Sequence, residues 1–133
     1  MSGYFKRKEK WHKKYLQKDA TLPMEIKVEE VSPQMSVIIP QGEIDMGSSG
    51  ELRDVLHKTT KNKVQTIIVS LEDAGHIDSS GIATLIEALK KVEAYSGELR
   101  VVINTKKIFN VFKIANLDMV FKIYESTQDA KNA

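Results

Sequence analysis

The chain has 133 residues, 41% of them hydrophobic and 29% charged, which is typical of one compact soluble domain with a short extension. It contains no cysteine, which excludes disulfides, zinc-thiolate sites and cysteine nucleophiles. No stretch approaches the roughly 20 apolar residues of a membrane-spanning helix, and no apolar segment follows the basic N-terminus to form a secretory signal. We therefore expect no transmembrane segment and a cytoplasmic location.

The first 23 residues differ from the rest in charge. Seven of the 20 basic residues lie within residues 1–22, against two of the 18 acidic residues, so the remaining chain is slightly acidic. Pro23 marks a boundary, because the residue before a proline disfavours helical geometry. We therefore predict a basic N-terminal extension at residues 1–23, either a tail or a short helix, and one domain at residues 24–133.

The extension allows several interpretations. Written as a helix, it places Tyr4, Trp11 and Tyr15 near one face with lysines around them. Such a face could lie on an anionic membrane, stack on nucleic acid, or dock against the domain or another protein, and a mobile basic tail fits equally well. We expect no direct binding of nucleic acid by the domain.

The first part of the domain has the pattern of an antiparallel hairpin followed by a helix. Residues 25–31 alternate partly between apolar and polar, and residues 35–44 contain an apolar run that includes Pro40. A proline inside a strand favours a bulge or the end of regular pairing. A helix capped by Ser48 or Ser49 then runs to about residue 60, weakened by Gly50.

The second part alternates strands and helices. Residues 64–71 form a β-branched run typical of a buried strand, and a loop at 72–78 leads to the clearest helix, at 79–95. The remaining predicted elements are a strand at 99–104, a helix at 106–115, a strand at 120–124 and a short helical tail from 127. Strands separated by helices pair in parallel. We therefore predict an α/β fold, with a mixed sheet of four to five strands, an antiparallel edge hairpin and about four helices.

The segment from His76 to Gly81 is the strongest candidate site, because it lies where a strand ends and the clearest helix begins. Asp78 suits the N-cap position, and Ser79 is then the first helical residue, with an exposed hydroxyl. The positive end of the helix dipole tolerates an anion there, and a phosphate would add about −1.5 to −2 charges. Local chemistry alone also allows a capped helix start with no further role.

Three separated segments carry a family resemblance. The stretch IDSSGIATLIEALKKV, the motif GEID with ELRDVL in the helix after it, and VVINTKKIFNVFKIANLDMVFKIYES follow one another in the same order as in a known family. Over about residues 24–130 the chain resembles the STAS-domain family, specifically its anti-sigma factor antagonists.

The resemblance implies regulation by partner switching in the bacterial cytoplasm. In that family an anti-sigma factor, itself an ATP-using serine kinase, phosphorylates the first serine of the D-S-S-G motif. The unphosphorylated antagonist binds the kinase and frees a sigma factor, and a PP2C-like phosphatase reverses the modification. By position, Ser79 would be the acceptor, with Asp45, Asp78, Ser80 and Gly81 in the partner-binding surface.

Enzymatic interpretations find little support in the sequence. A hydrolase built on Ser79, His76 and Asp78 would need its residues to converge from separate segments, which near neighbours on an extended chain do not do. The histidines show no metal-ligand spacing, and no glycine-rich phosphate loop is present. We expect no catalytic residue, no cofactor and no metal site. The alternative to the antagonist is a STAS scaffold module, in a signalling or lipid-transport assembly, with Ser79 unmodified.

Overall fold

A computed structural model describes residues 10–11 and 24–133, and it contains one mixed sheet with helices on both faces. The strands are β1 (Lys10–Trp11), β2 (Glu25–Ser32), β3 (Met35–Ile44), β4 (Thr66–Ser70), β5 (Ala74–Ile77), β6 (Glu98–Val102) and β7 (Lys122–Tyr124). The helices are α1 (Ser49–Lys61), α2 (Ser79–Ala94), α3 (Lys106–Ile114) and α4 (Thr127–Asn132), with a turn of 3-10 helix at Leu117–Met119.

The strands are arranged in the order β1-β2-β3-β4-β6-β7, and β5 pairs with the second half of β3. The pairs β1–β2 and β2–β3 are antiparallel, and all other pairs are parallel. The predicted α/β fold with an antiparallel hairpin and four helices is confirmed. Two short strands, β1 and β5, were not predicted from the sequence.

Strand β3 has two successive parallel partners. Its first half pairs with β4 as far as Ile38, and its last three residues, from Gly42, pair with β5. Pro40 lies between these ladders and stays in register with Ile26 of β2, so the strand does not end there. The irregularity occurs between Gly42 and Glu43, and Gly42 has a φ of 109°, a left-handed conformation that favours glycine.

Strand β5 replaces most of the loop predicted at residues 72–78. Its four residues, Ala-Gly-His-Ile, contain no run of β-branched residues. They include a glycine, a residue type that is uncommon in strands. Pairing with the far end of β3 makes this segment a strand, which is a tertiary effect that local propensity does not contain.

The two faces of the sheet are covered differently. Helices α1, α2 and α3 pack on one face and form the main core with alternate residues of β4 such as Ile67 and Val69. On the opposite face, a smaller cluster of Val37, Ile68 and Val102 packs against Ala130 of α4. Strands β4 and β6 are therefore buried continuously from their second residue onward, because the sheet is covered on both faces.

Helix α4 is attached to the sheet by polar contacts. The guanidinium of the buried residue Arg100 donates to the carbonyl of Ala130 at 2.7 Å, and Lys131 pairs with Glu29 at 3.1 Å. The Ser126 hydroxyl accepts from the N–H of Asp129 and caps the helix at its start. The predicted polar tail is thus a docked helix.

Only residues 10–11 of the N-terminal extension are described. They form β1, antiparallel to β2, where the sequence also allowed a helix. The other residues of the extension lie outside the described part, and so the division at residues 23 and 24 stays a prediction. No helix within residues 24–133 has the length and apolar character needed to cross a membrane.

We predict that Gly50→Ala stabilises the protein by about 0.5–1 kcal/mol, because alanine is the better helix former and a Cβ at this exposed position would meet nothing within 4 Å. The control is Gly97→Ala, whose Cβ would lie 2.8 Å from the backbone carbonyl oxygen of Gln65 and should destabilise. Urea unfolding measures both changes, and a Gly50→Ala variant less stable than the wild type would contradict the first.

Candidate functional site

The candidate site lies where the chain leaves β3 and β5 at their carboxyl ends. The backbone N–H of Asp78, just after β5, donates to the carbonyl of Ile44, the last residue of β3, at 3.0 Å. This bond places the loop that begins at Asp45 beside the start of α2. In α/β sheets, this edge is where ligands and partners usually bind.

Asp78 is the N-cap of α2, as the sequence predicted. One carboxylate oxygen, Oδ1, accepts from the N–H of Ser80 at 2.9 Å, from the N–H of Gly81 at 3.2 Å and from the Ser80 hydroxyl at 2.6 Å. These bonds satisfy N–H groups that have no partner within a helix. The start of α2 is therefore held in one conformation.

The same hydrogen bonds favour the charged form of Asp78. The Ser80 hydroxyl is the main cause that lowers the pKa of this carboxyl below its ordinary value, and the N–H groups of Gly81, Ser80 and Met46 add to it, while partial burial opposes them. Met46 belongs to the loop after β3. Groups from both the start of α2 and the loop after β3 therefore favour the charged form of this carboxyl.

The two serines of the motif have different environments. Ser79 is exposed, as predicted, and its hydroxyl makes no hydrogen bond to any residue of the described chain. Ser80 is half-buried, and its hydroxyl donates to Asp78. Of the two neighbouring hydroxyls, only that of Ser79 is open to reaction without the loss of a hydrogen bond within the described residues.

Gly81 allows α2 to approach the sheet closely. A Cβ at this position would lie 2.7 Å from side-chain carbons of both Ile44 and Ile77, the last residues of β3 and β5. Atoms at that distance clash, so a larger residue would push the helix start away from the strands. Gly81 is itself buried, and the structure gives it a packing role beneath Ser79.

Asp45 organises the loop on the other side of the site. Its Oδ1 accepts from the N–H of Gly47 at 2.9 Å, and its carbonyl accepts from the N–H groups of Ser48 and Ser49 at 3.0 and 2.8 Å. Ser48 occupies the N-cap position of α1, but its hydroxyl donates to the carbonyl of Glu43 at 2.6 Å and makes no cap bond. The loop is fixed by these bonds, and Asp45 stays half-buried at the surface.

Met46 is a feature of the site that the sequence analysis did not identify. Its side chain is 85% exposed at the tip of this loop. In the sequence, Met46 is an apolar residue between an aspartate and a glycine in a polar turn. Nothing in the local pattern distinguishes it from an ordinary loop residue. Its position beside Asp78 follows only from the tertiary contact.

The geometry does not assemble a catalytic triad. The Asp78 carboxylate is bonded to Ser80, and within the described residues no hydrogen bond joins His76 to Ser79 or to Asp78. In the same part of the chain, no group of three or more histidine, aspartate and glutamate residues is arranged to hold a metal ion.

A separate open groove of about 690 Å³ lies past the ends of β6 and β7. Its lining residues are Ile103, Asn104, Thr105, Lys106, Phe109, Asp118, Ile123 and Glu125. None of the predicted site residues lines it. The candidate site is therefore an exposed hydroxyl at a helix start outside this groove, a geometry suited to a macromolecular partner rather than to an enclosed ligand.

Comparisons with known proteins agree with this architecture. The model of the STAS domain family matches residues 26–130. The anti-sigma-B factor antagonist of Staphylococcus aureus (strain NCTC 8325 / PS 47) is 28% identical over 87 residues, which cover 65% of this chain and 81% of that protein.

Solved structures share the fold at lower identity. An anti-sigma factor antagonist from Mycobacterium paratuberculosis superposes with a TM-score of 0.77, at 22% identity, covering 85% of this chain and 95% of that one. The Bacillus cell fate determinant SpoIIAA in its phosphorylated form gives a TM-score of 0.64, at 21% identity, covering 80% and 96%. Its unphosphorylated form gives 0.63, at 22% identity, covering 78% and 91%.

We predict that Asp78→Asn destabilises the protein at neutral pH, by about 0.5–1 kcal/mol, because asparagine still accepts cap bonds but lacks the charge favoured at a helix start. The pKa of Asp78 is lowered in the folded state, so its extra stability is present above its unfolded pKa, about 4, and disappears as the pH falls through the folded value. Urea unfolding at pH 7 and at about pH 2.5 tests this. A difference between variant and wild type that persists unchanged in acid would contradict it.

Proposed function

Since the chain belongs to the STAS domain family, we propose that it is an anti-sigma factor antagonist controlled by phosphorylation of Ser79. In this proposal the unphosphorylated protein binds an anti-sigma factor serine kinase and thereby frees a sigma factor. The observation that carries the proposal is the exposed Ser79 hydroxyl, unbonded within the described residues, at the first position of α2.

Local geometry supports Ser79 over Ser80 as the acceptor. A kinase must reach the hydroxyl oxygen and remove its proton, and the Ser79 oxygen is open to such an approach. The Ser80 hydroxyl is 2.6 Å from the Asp78 carboxylate oxygen, so its phosphorylation would break that bond and place two anions in contact. Of the two serines, Ser79 is therefore the better acceptor.

A phosphate on Ser79 is compatible with the fold. The helix start favours an anion through its dipole, whereas the nearby carboxylate of Asp78 opposes it. Because the side chain is exposed, water screens both effects. We infer that phosphorylation changes the charge of the surface and leaves the packing of α2 intact.

The same phosphate is incompatible with a docked partner. It adds about −1.5 to −2 charges close to Asp78 and to the Asp45 loop, and a partner that covers Ser79 would have to remove water from all of them. A buried charge without a matched partner costs several kcal/mol in binding. Release of the kinase after phosphate transfer follows from this cost.

The remaining predicted residues have distinct places in the proposal. Asp45 and Asp78 present carboxylates beside the acceptor, and we propose that Asp45 contacts the kinase directly. Ser80 and Gly81 lie beneath the acceptor, where they hold the helix start that the partner recognises.

We propose the other components of the cycle from the family resemblance. We propose that the kinase is the component that binds ATP, since the sequence of this chain has no glycine-rich phosphate loop. A phosphoserine hydrolyses very slowly in water without a catalyst. A reversible cycle therefore needs a phosphatase, which we propose is PP2C-like. We place the cycle in the bacterial cytoplasm and assign no enzymatic step to this chain.

We predict a single phosphorylation site. Incubation with an anti-sigma factor serine kinase of the source organism and ATP, followed by peptide mass spectrometry, should place phosphate on Ser79 in the wild type and also in Ser80→Ala. Ser79→Ala should remain unmodified. Phosphate on Ser80 would contradict the choice of acceptor, and a stable complex that is indifferent to ATP would indicate the scaffold alternative.

We predict that Ser79→Asp weakens binding to the kinase by at least about tenfold, because it adds a negative charge at the covered position. Ser79→Ala should bind like the wild type but resist release by ATP. Isothermal titration calorimetry measures both, and thermal unfolding should show little change.

The matched control for charge is Asn62→Asp. Asn62 is exposed at the C-terminal end of α1, which leads into the start of β4, at the sheet edge opposite Ser79. The same added charge there should leave the affinity within about twofold of wild type. An equal loss in both variants would show that net charge, and not the position of Ser79, governs binding.

A further inference from the structure

Five large apolar side chains are strongly exposed within the described residues, and one of them lies at the candidate site. They are Val31, Met46, Ile114, Met119 and Val120. Val31 lies near the turn into β3, and the last three lie between the end of α3 and the start of β7, so these four are at the edge where the parallel strands begin. Met46 alone accompanies Ser79 at the edge where they end.

Met46 is held in place although its side chain is in water. The residues after it are bonded back to Asp45: the N–H of Gly47 donates to Oδ1 at 2.9 Å and the N–H of Ser48 donates to the carbonyl at 3.0 Å. The turn that carries Met46 is thus closed by hydrogen bonds to Asp45. A partner that covers Met46 therefore need not first order the loop that carries it.

An exposed methionine in a fixed loop is suited to binding a protein. At 85% exposure its side chain gains little from packing within the described chain, whereas burial in an apolar pocket removes that surface from water. Methionine is enriched at protein interfaces, and its flexible thioether adapts to pockets of irregular shape. Flanking carboxylates supply the polar rim that surrounds such anchors.

We propose that Met46 is the apolar anchor of the surface that binds the anti-sigma factor serine kinase, an inference that rests on the proposed function of Ser79. The kinase then presents an apolar pocket for Met46 directly beside the groups that reach the Ser79 hydroxyl, with basic or hydrogen-bond-donating groups facing Asp45 and Asp78. Continuity with the acceptor favours this partner over a second copy of the chain, because the hydrogen bond from the N–H of Asp78 to the carbonyl of Ile44, at 3.0 Å, places the loop that carries Met46 beside the helix start that carries Ser79.

The arrangement also links phosphorylation to release. The phosphate forms next to a side chain that must stay dry in the complex, and a strongly hydrated dianion draws water into that contact. Binding through Met46 and phosphorylation of Ser79 therefore oppose each other without any change of fold.

The test compares two methionines of equal exposure. Met46 and Met119 are each 85% exposed, but they lie at opposite edges of the sheet. Titration of the unphosphorylated chain with the kinase and ADP should show that Met46→Ala weakens binding by about tenfold, mainly through faster dissociation. Met119→Ala should remain within about twofold of wild type, and Met46→Leu should retain most of the affinity.

Each alternative outcome has a defined meaning. Equal affinity of Met46→Ala and wild type, or an equal loss in Met119→Ala, overturns the anchor while leaving the phosphorylation proposal standing. No binding and no phosphorylation of the wild type overturns both proposals. Self-association of the wild type that Met46→Ala abolishes, measured by sedimentation, assigns the residue to a second copy and also overturns the anchor. Equal thermal unfolding of the variants controls for folding.

Discussion

The site depends on one residue that bonds in two directions. The N–H of Asp78 donates to the carbonyl of Ile44 at 3.0 Å, and its carboxylate accepts from N–H groups in the first turn of α2. The first contact joins the end of β3, and with it the loop before α1, to the residue that caps α2, and the second fixes the start of that helix. Residues 33 positions apart in the sequence thereby form one surface, and the exposed hydroxyl of Ser79 is oriented without a bond of its own.

The residues that fix the helix start are different from the residue that we propose is phosphorylated. Asp78, Ser80 and Gly81 use their polar and steric features inside the protein, so that they define the position of the helix start. The side chains of Ser79 and Met46 are exposed, and we propose that they meet the partner. Because the Ser79 hydroxyl makes no hydrogen bond within the described residues, we expect a charge added there to cost little folding free energy.

Much of the architecture could be predicted because its signals are local. The apolar face of α2 repeats with the period of a helix, and the β-branched run at residues 64–71 has the composition of a buried strand. Strand β5 could not be predicted, since its residues acquire their conformation by pairing with Gly42, Glu43 and Ile44. Likewise, the conformation of β3 around Pro40 depends on a change of partner, which no window of sequence records.

For the candidate site, the sequence by itself determined which residues stand at the start of α2, because Asp, Ser and Gly have strong preferences at helix ends. It also determined the family, through three segments in a shared order. Only the tertiary structure decided that Ser80 is engaged while Ser79 is open, and that Met46 stands beside them. The physical reason is that a hydrogen bond between distant segments depends on how the strands pair, whereas capping depends only on neighbours along the chain.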